Sequence, residues 1–167
     1  MDTLRTLALL LATVTTGMVA GVFALYAHTI MPGLERTDDR TFVSAFQNID
    51  RAIINPWFIG GGFFAALILT ICALLTQLGR PALPWVIAAL VLYAITVGIT
   101  IAVNVPLNDA IKAAGLPDNP TELAAIREAF GEARWRAFNL VRVVLNTAAF
   151  VLLAWSLVLE GRTTPTP

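Results

Sequence analysis

Charge is absent from four long stretches of this sequence. Residues 6–34, 52–79 and 81–108 contain none over 28 or 29 positions each, and residues 143–159 contain none over 17. A hydrocarbon core about 30 Å thick needs roughly 20 apolar helical residues per crossing. The pattern therefore predicts four membrane spans, at about 4–28, 56–78, 85–105 and 137–159. Met31-Pro32-Gly33-Leu34 is expected to end the first span, and Asn104-Val105-Pro106-Leu107-Asn108 the third, because Pro and Gly punctuate helices. Between the first two spans, Phe42, Phe46, Ile49 and Ile53 recur on one helical face. That spacing predicts a short amphipathic helix at the membrane interface, capped by Asp38 or Asp39. The 79–84 loop is short, so the second and third spans are expected to be antiparallel neighbours. In the polar connection 109–135, Asn119-Pro120-Thr121-Glu122 reads as a capping box whose helix runs on into the last span.

The predicted architecture is an all-α membrane protein. It is a four-transmembrane-helix up-and-down bundle, with a short amphipathic helix between spans 1 and 2 and an extended polar helical connection between spans 3 and 4. Residues 1–160 form one domain, and 161–167 a flexible tail. Composition agrees: 57% of residues are hydrophobic, mean hydropathy is +0.77 and 13% are charged, against roughly 25% in soluble domains. The apolar run after Arg5 is longer than the roughly 7–15 residues of a signal-peptide core, so it reads as a retained span. Net charge is zero, which gives no field for nucleic acid. Cys72 and His28 are the only residues of their types, so no internal disulfide forms and no metal site is expected. No glycine-rich phosphate loop follows a strand, so no nucleotide or flavin cofactor is expected. Gly17 and Gly21 permit close helix approach, within the monomer or in a homo-oligomer. Gly60-Gly61-Gly62 points to a close neighbour or a bound ligand.

Polar residues inside the spans carry the candidate chemistry. Trp135, Asn139, Arg142 and Asn146 form one helical stripe, and Tyr93, Thr96, Thr100, Asn104 and Asn108 another. Arg142 lies roughly 8 Å inside the last span at 1.5 Å per residue, where a charge is expected to face the protein interior. Four crossings bring His28, Asn55, Asn104, Asn108, Trp135, Asn139 and Arg142 to one end of the bundle. The other end offers only Thr13, Thr70, Cys72 and Thr76, so a polar pocket at one face is expected, suited to a small and mostly apolar ligand. Eight Lys and Arg residues fall at the pocket end and three at the other. The positive-inside bias then places the pocket at the cytoplasmic face, in a bacterial-type plasma membrane.

Met31-Pro32-Gly33-Leu34, Phe42 to Gln47, Ile53-Ile54-Asn55-Pro56, Asn104-Val105-Pro106-Leu107-Asn108, and Trp135 with Asn139 and Arg142 together resemble the anthrone oxygenase-like integral membrane family. The resemblance covers residues 5–160. It implies a four-helix membrane protein that oxidises an anthrone to an anthraquinone with O2 and no cofactor, so its partners would be a hydrophobic aromatic molecule, O2 and the bilayer. On that reading Arg142, Asn104 and Asn139 stabilise an oxyanion, and His28 is the base, with Asp50 or Asp109 at the rim as substitutes. Trp135, Asn108, Asn55 and Asn146 bind substrate. Two other readings use the same residues. One is a non-catalytic protein that binds or delivers a hydrophobic molecule, or an accessory subunit. The other is a structural cluster in which Arg142 pairs with Asp50, Asp109 or Glu132.

Overall fold

A computed structural model describes residues 2–163. The expected tail falls largely outside them. Helix α1 covers residues 2–35, α2 Asp39–Ile53, α3 Pro56–Thr76, α4 Leu83–Ala113, α5 Pro120–Phe130 and α6 Glu132–Thr163. Four helical stretches, with α1, α3, α4 and α6 as their apolar parts, are long and apolar enough to cross a membrane. The protein is an integral membrane protein. Among the described residues there is no strand.

Helix α1 packs on α3 and α6, and α4 packs on the same two. The contacts run antiparallel. Arg5 near the start of α1 donates to the Thr76 carbonyl at the end of α3 (3.2 Å). Asn139 early in α6 reaches the Phe23 carbonyl late in α1 (3.1 Å). Small residues set the spacing: Ala8, Ala12, Ala73, Ala89 and Ala149 are buried around Leu9, Val86 and Leu153. In lipid, where apolar burial gives little drive, such close packing holds helices together. Gly17 is part of it, since a Cβ there would lie 2.8 Å from the Phe150 ring. Gly21 has open space.

Two predicted helix ends are corrected. Helix α1 continues past Met31-Pro32 to Glu35, and α4 passes Pro106 to Ala113. Both contain a wide π-type turn just before the proline, at Tyr26–Ile30 and Thr100–Asn104. There the Met31 N–H bonds Tyr26 O and the Val105 N–H bonds Thr100 O, five residues back. Proline removes a donor from the helical ladder, and the wide turn lets the helix pass that gap instead of stopping. A third wide turn, Ile59–Phe64, contains Gly60, Gly61 and Gly62. Gly60 and Gly61 face open space, and only Gly62 meets neighbours, at ordinary contact distance. The glycines mark an altered turn rather than a tight neighbour.

Helix α2 closes one end of the bundle. Asp38 is its cap, accepting from the Thr41 N–H (3.0 Å) and the Thr41 hydroxyl (2.6 Å), and these bonds hold its carboxyl below the usual range. Phe42 and Phe46 are buried against Met31, Phe130 and Trp135. The Gln47 amide pins α2 to the Ile111 and Gly115 carbonyls (2.8 and 2.7 Å). Asn119 caps α5 through Thr121 N (2.9 Å). Contrary to expectation, α5 does not run smoothly into α6. Gly131 breaks it at φ 65°, a left-handed conformation that glycine adopts without a Cβ penalty.

The far end is also more polar than its threonines implied. Gln77, Ser156 and Glu160 are buried there, and Arg80 Nη2 lies 3.6 Å from Glu160 Oε2. These residues stand at span ends, where a sequence pattern does not distinguish inward burial from headgroup exposure.

Candidate functional site

Beneath α2, a cavity of about 240 Å³ lies between α1, α3, α4 and α6. Aromatic and aliphatic side chains make most of its wall: Phe23 and Tyr26 from α1, Phe46 and Ile53 from α2, Phe58 and Phe63 from α3, and Trp135 from α6. All three wide turns border it, through Tyr26, through Ile59, Phe63 and Phe64, and through Thr100 and Ile101. Such turns loosen the carbonyl ladder and often occur at functional sites. Here a side chain meets the Phe63 carbonyl, which accepts the Tyr93 hydroxyl at 2.8 Å.

Two polar groups project into this apolar space. The first is a chain across three helices. The Trp135 indole N–H donates to Asn108 Oδ1 (2.7 Å), and Asn108 Nδ2 donates to Asp50 Oδ1 (2.6 Å). The indole is only a donor and the carboxylate only an acceptor, so the orientation of the Asn108 amide is fixed. Lys112, one turn after Asn108, holds its Nζ 2.7 Å from Asp50 Oδ2 and 3.0 Å from Asp109 Oδ1. The contact with Asp50 is an ion pair by distance but lacks hydrogen-bond alignment.

The second group is Arg142, 4% exposed. Its Nη2 donates to Asn139 Oδ1 (2.8 Å) and its Nη1 to Thr100 Oγ1 (3.2 Å). The guanidinium carbon lies 4.4 Å from the Phe23 ring centre and 5.5 Å from that of Trp135, within range for a cation on an aromatic face. Asn139 is fixed in turn, since its Nδ2 is committed to the Phe23 carbonyl. Both acceptors of Arg142 are neutral, and its Nε has no partner among the described residues. The acids expected to pair with it are engaged elsewhere: Asp50 and Asp109 with Lys112, and Glu132 with Arg127 and Arg136. A buried cation held only by neutral groups is costly in lipid. It remains a donor for an anionic or carbonyl oxygen.

The structure brings Asn108, Trp135 and Arg142 to the cavity. Asn139 stands behind Arg142 and accepts from its guanidinium. Asn104 is buried behind Trp135 and donates to its carbonyl (3.3 Å), while its Oδ1 has no partner among the described residues. Asn146 lies deeper, 3.5 Å from the Thr16 carbonyl. Asn55 caps α3 through Phe58 N (2.9 Å) and does not line the cavity. His28 is exposed, 2.6 Å from the Thr29 hydroxyl, and is not brought to the cavity. Lys112, Tyr26 and Phe63 were missed as lining residues. Asp50 had a legible signal: it shares the apolar face of α2 with Phe46 and Ile53. Among the described residues, no three His, Cys, Asp or Glu side chains cluster as a metal would require.

The chain was compared with known proteins. No curated protein and no solved structure matches it. One family model, described as anthrone oxygenase, matches residues 53–152. That span is more than half of the chain and contains Asn104, Asn108, Lys112, Trp135, Asn139 and Arg142. Fold and match together establish that this membrane protein belongs to the anthrone oxygenase family.

Proposed function

We propose that the cavity oxidises a flat, hydrophobic anthrone-type aromatic with O2, giving the quinone and water. The observation that carries this reading is the pairing of a carboxylate, Asp50, with a guanidinium lacking an acidic partner, Arg142, around one aromatic-walled space. An anthrone has a carbonyl on one side of its central ring and an acidic CH2 on the other. Asp50 would accept one CH2 proton, and Arg142, oriented by Asn139 and Thr100, would stabilise the charge that develops on the carbonyl oxygen. The electron-rich anion passes electrons to O2, and a C–O bond forms at the former CH2. Loss of the second C–H proton with O–O cleavage leaves the new carbonyl. One O atom enters the product and the other leaves as water, so the substrate is oxidised and O2 reduced in balance. Trp135, Phe23 and Phe63 supply ring faces that hold a planar substrate.

His28 is replaced as the base in this reading, because it lies outside the cavity. The excess of Lys and Arg at the cavity end supports a cytoplasmic position for that end.

The test is O2 uptake and anthraquinone formation from anthrone by protein purified into vesicles. Parent protein should turn over, Asp50→Asn and Arg142→Met should lose most of the rate, and His28→Ala should keep it. A parent rate no higher than that of Arg142→Met, or of protein-free vesicles, removes the proposal. Tight binding of anthraquinone without turnover would instead favour a binding or delivery role for the same cavity.

A further inference from the structure

Several residues that line the cavity are also exposed on the outside of the bundle, so they mark its mouth. Ile101 is 59% exposed and Ile54 57%, and Phe64 and Val105 are exposed as well. Ile101, Val105 and Asp109 follow one another at four-residue intervals along α4. Opposite them stand Phe64 on α3 and Ile54 at the α2–α3 junction. The mouth is therefore a slot along α4, apolar along most of its length and charged only at its outer end. Asp109 and Lys112 mark that end. Ile101 lies roughly 12 Å further along the helix at 1.5 Å per residue. Half of a hydrocarbon core is about 15 Å, so the apolar part of the slot opens into the acyl chains.

The end facing water is crossed by charged and polar contacts. Lys112 bridges Asp50 and Asp109 across it. Gln47 pins α2 to the end of α4 at two carbonyls, and Arg127 ties the α1–α2 turn through Thr37 O, Glu35 O and Asp39. A ligand entering from water would have to pass these charged and polar groups. One dissolved in the bilayer meets only Ile54, Phe64, Ile101 and Val105.

We infer that the cavity takes its ligand sideways from the bilayer, through the slot between α3 and α4. The ligand class is a membrane-dissolved, flat apolar molecule whose polar edge trails toward Asp109 and Lys112. The inference rests on the aromatic-substrate reading above and adds the route and the physical state of the substrate.

The experiment follows anthraquinone reaching Trp135. Trp57, Trp85 and Trp155 are exposed, so changing them to Phe leaves Trp135 as the only indole. Phosphatidylcholine vesicles carrying this protein are mixed with vesicles carrying anthraquinone, and Trp135 quenching is followed in time. Ile101→Phe and Val105→Phe narrow the slot and should slow quenching several-fold with the final amplitude unchanged. Ile101→Ala widens it and should speed quenching. Val91→Phe, exposed on α4 but away from the slot, should leave the rate alone. Quenching that ignores all three slot variants overturns the lateral route, as does quenching accelerated by Lys112→Met, which opens the aqueous end. Absence of quenching in the parent overturns the aromatic-binding reading itself, and the route with it.

Discussion

Arg142 meets two opposing costs. Keeping a cation inside the bilayer section costs a few kcal/mol on insertion scales. Removing it strands the buried Asn139 oxygen it now satisfies, at about 1–3 kcal/mol for a buried group left without a partner, while the Thr100 hydroxyl keeps its bond to the Thr96 carbonyl. The two effects are of similar size and opposite sign. Arg142→Met is therefore expected to unfold within about 1 kcal/mol of the parent, while turnover of anthrone falls by roughly 100-fold or more, the scale of losing one preorganised oxyanion donor. Thermal unfolding in micelles and a rate assay on the same sample check both halves. A large fall in stability with turnover retained would mean that the residue serves the fold alone. Trp135, Asn139 and Arg142 were legible in the sequence because a polar stripe in an apolar helix has a local cost that shows in the periodicity. Asp50 was read only as a rim residue: its place on the apolar face of α2 was legible, but its partner Asn108 lies 58 positions away.

At the level of elements, the wide turns are the feature that a pattern of residue types does not encode. Each adds a residue to a helical turn, so deleting one residue should restore an ordinary helix and keep the register on both sides. Deleting Ala102 from Thr100–Asn104 is expected to leave helical content by circular dichroism near the parent value. It should also displace Thr100 and Ile101 from the cavity and abolish turnover. Loss of the fold would show that the turn is required for packing. The cap of α2 has a pH dependence of known sign. Thr41 lowers the Asp38 pKa in the folded protein, so the cap's contribution is complete above the ordinary aspartate value of about 3.9 and is lost as pH falls through the lowered value. Hydrogen exchange at the Thr41 amide should speed up over that acid window. Asp38→Asn should remove the dependence. His28 illustrates the limit of face reading. It follows Gly21 and Ala24 on a face that turns outward, while Thr16, Val19, Phe23 and Tyr26 are buried. Small residues fit either side of a helix and do not indicate which one faces in.

For the whole molecule, the charge bias of eight against three basic residues makes a prediction about orientation that is independent of the chemistry. The Asp118 side chain, at the cavity end, is fully solvent-exposed. In a Cys72→Ala background, Asp118→Cys should react with a membrane-impermeant maleimide in inside-out vesicles and stay unlabelled in intact cells. Labelling in intact cells would place the cavity end outside. The class, the four long apolar helices and the polar stripe from Trp135 to Asn146 were legible in residue order alone. Charge-free length and buried polar groups are local properties with large costs in lipid, and they leave a periodic record. Packing in three dimensions was needed to show that Asp50 rather than His28 faces the cavity, that Lys112 pairs with Asp50, and that three helices continue through wide turns. Those outcomes depend on which carbonyls and carboxylates meet across helices distant in sequence, and no local pattern carries that information.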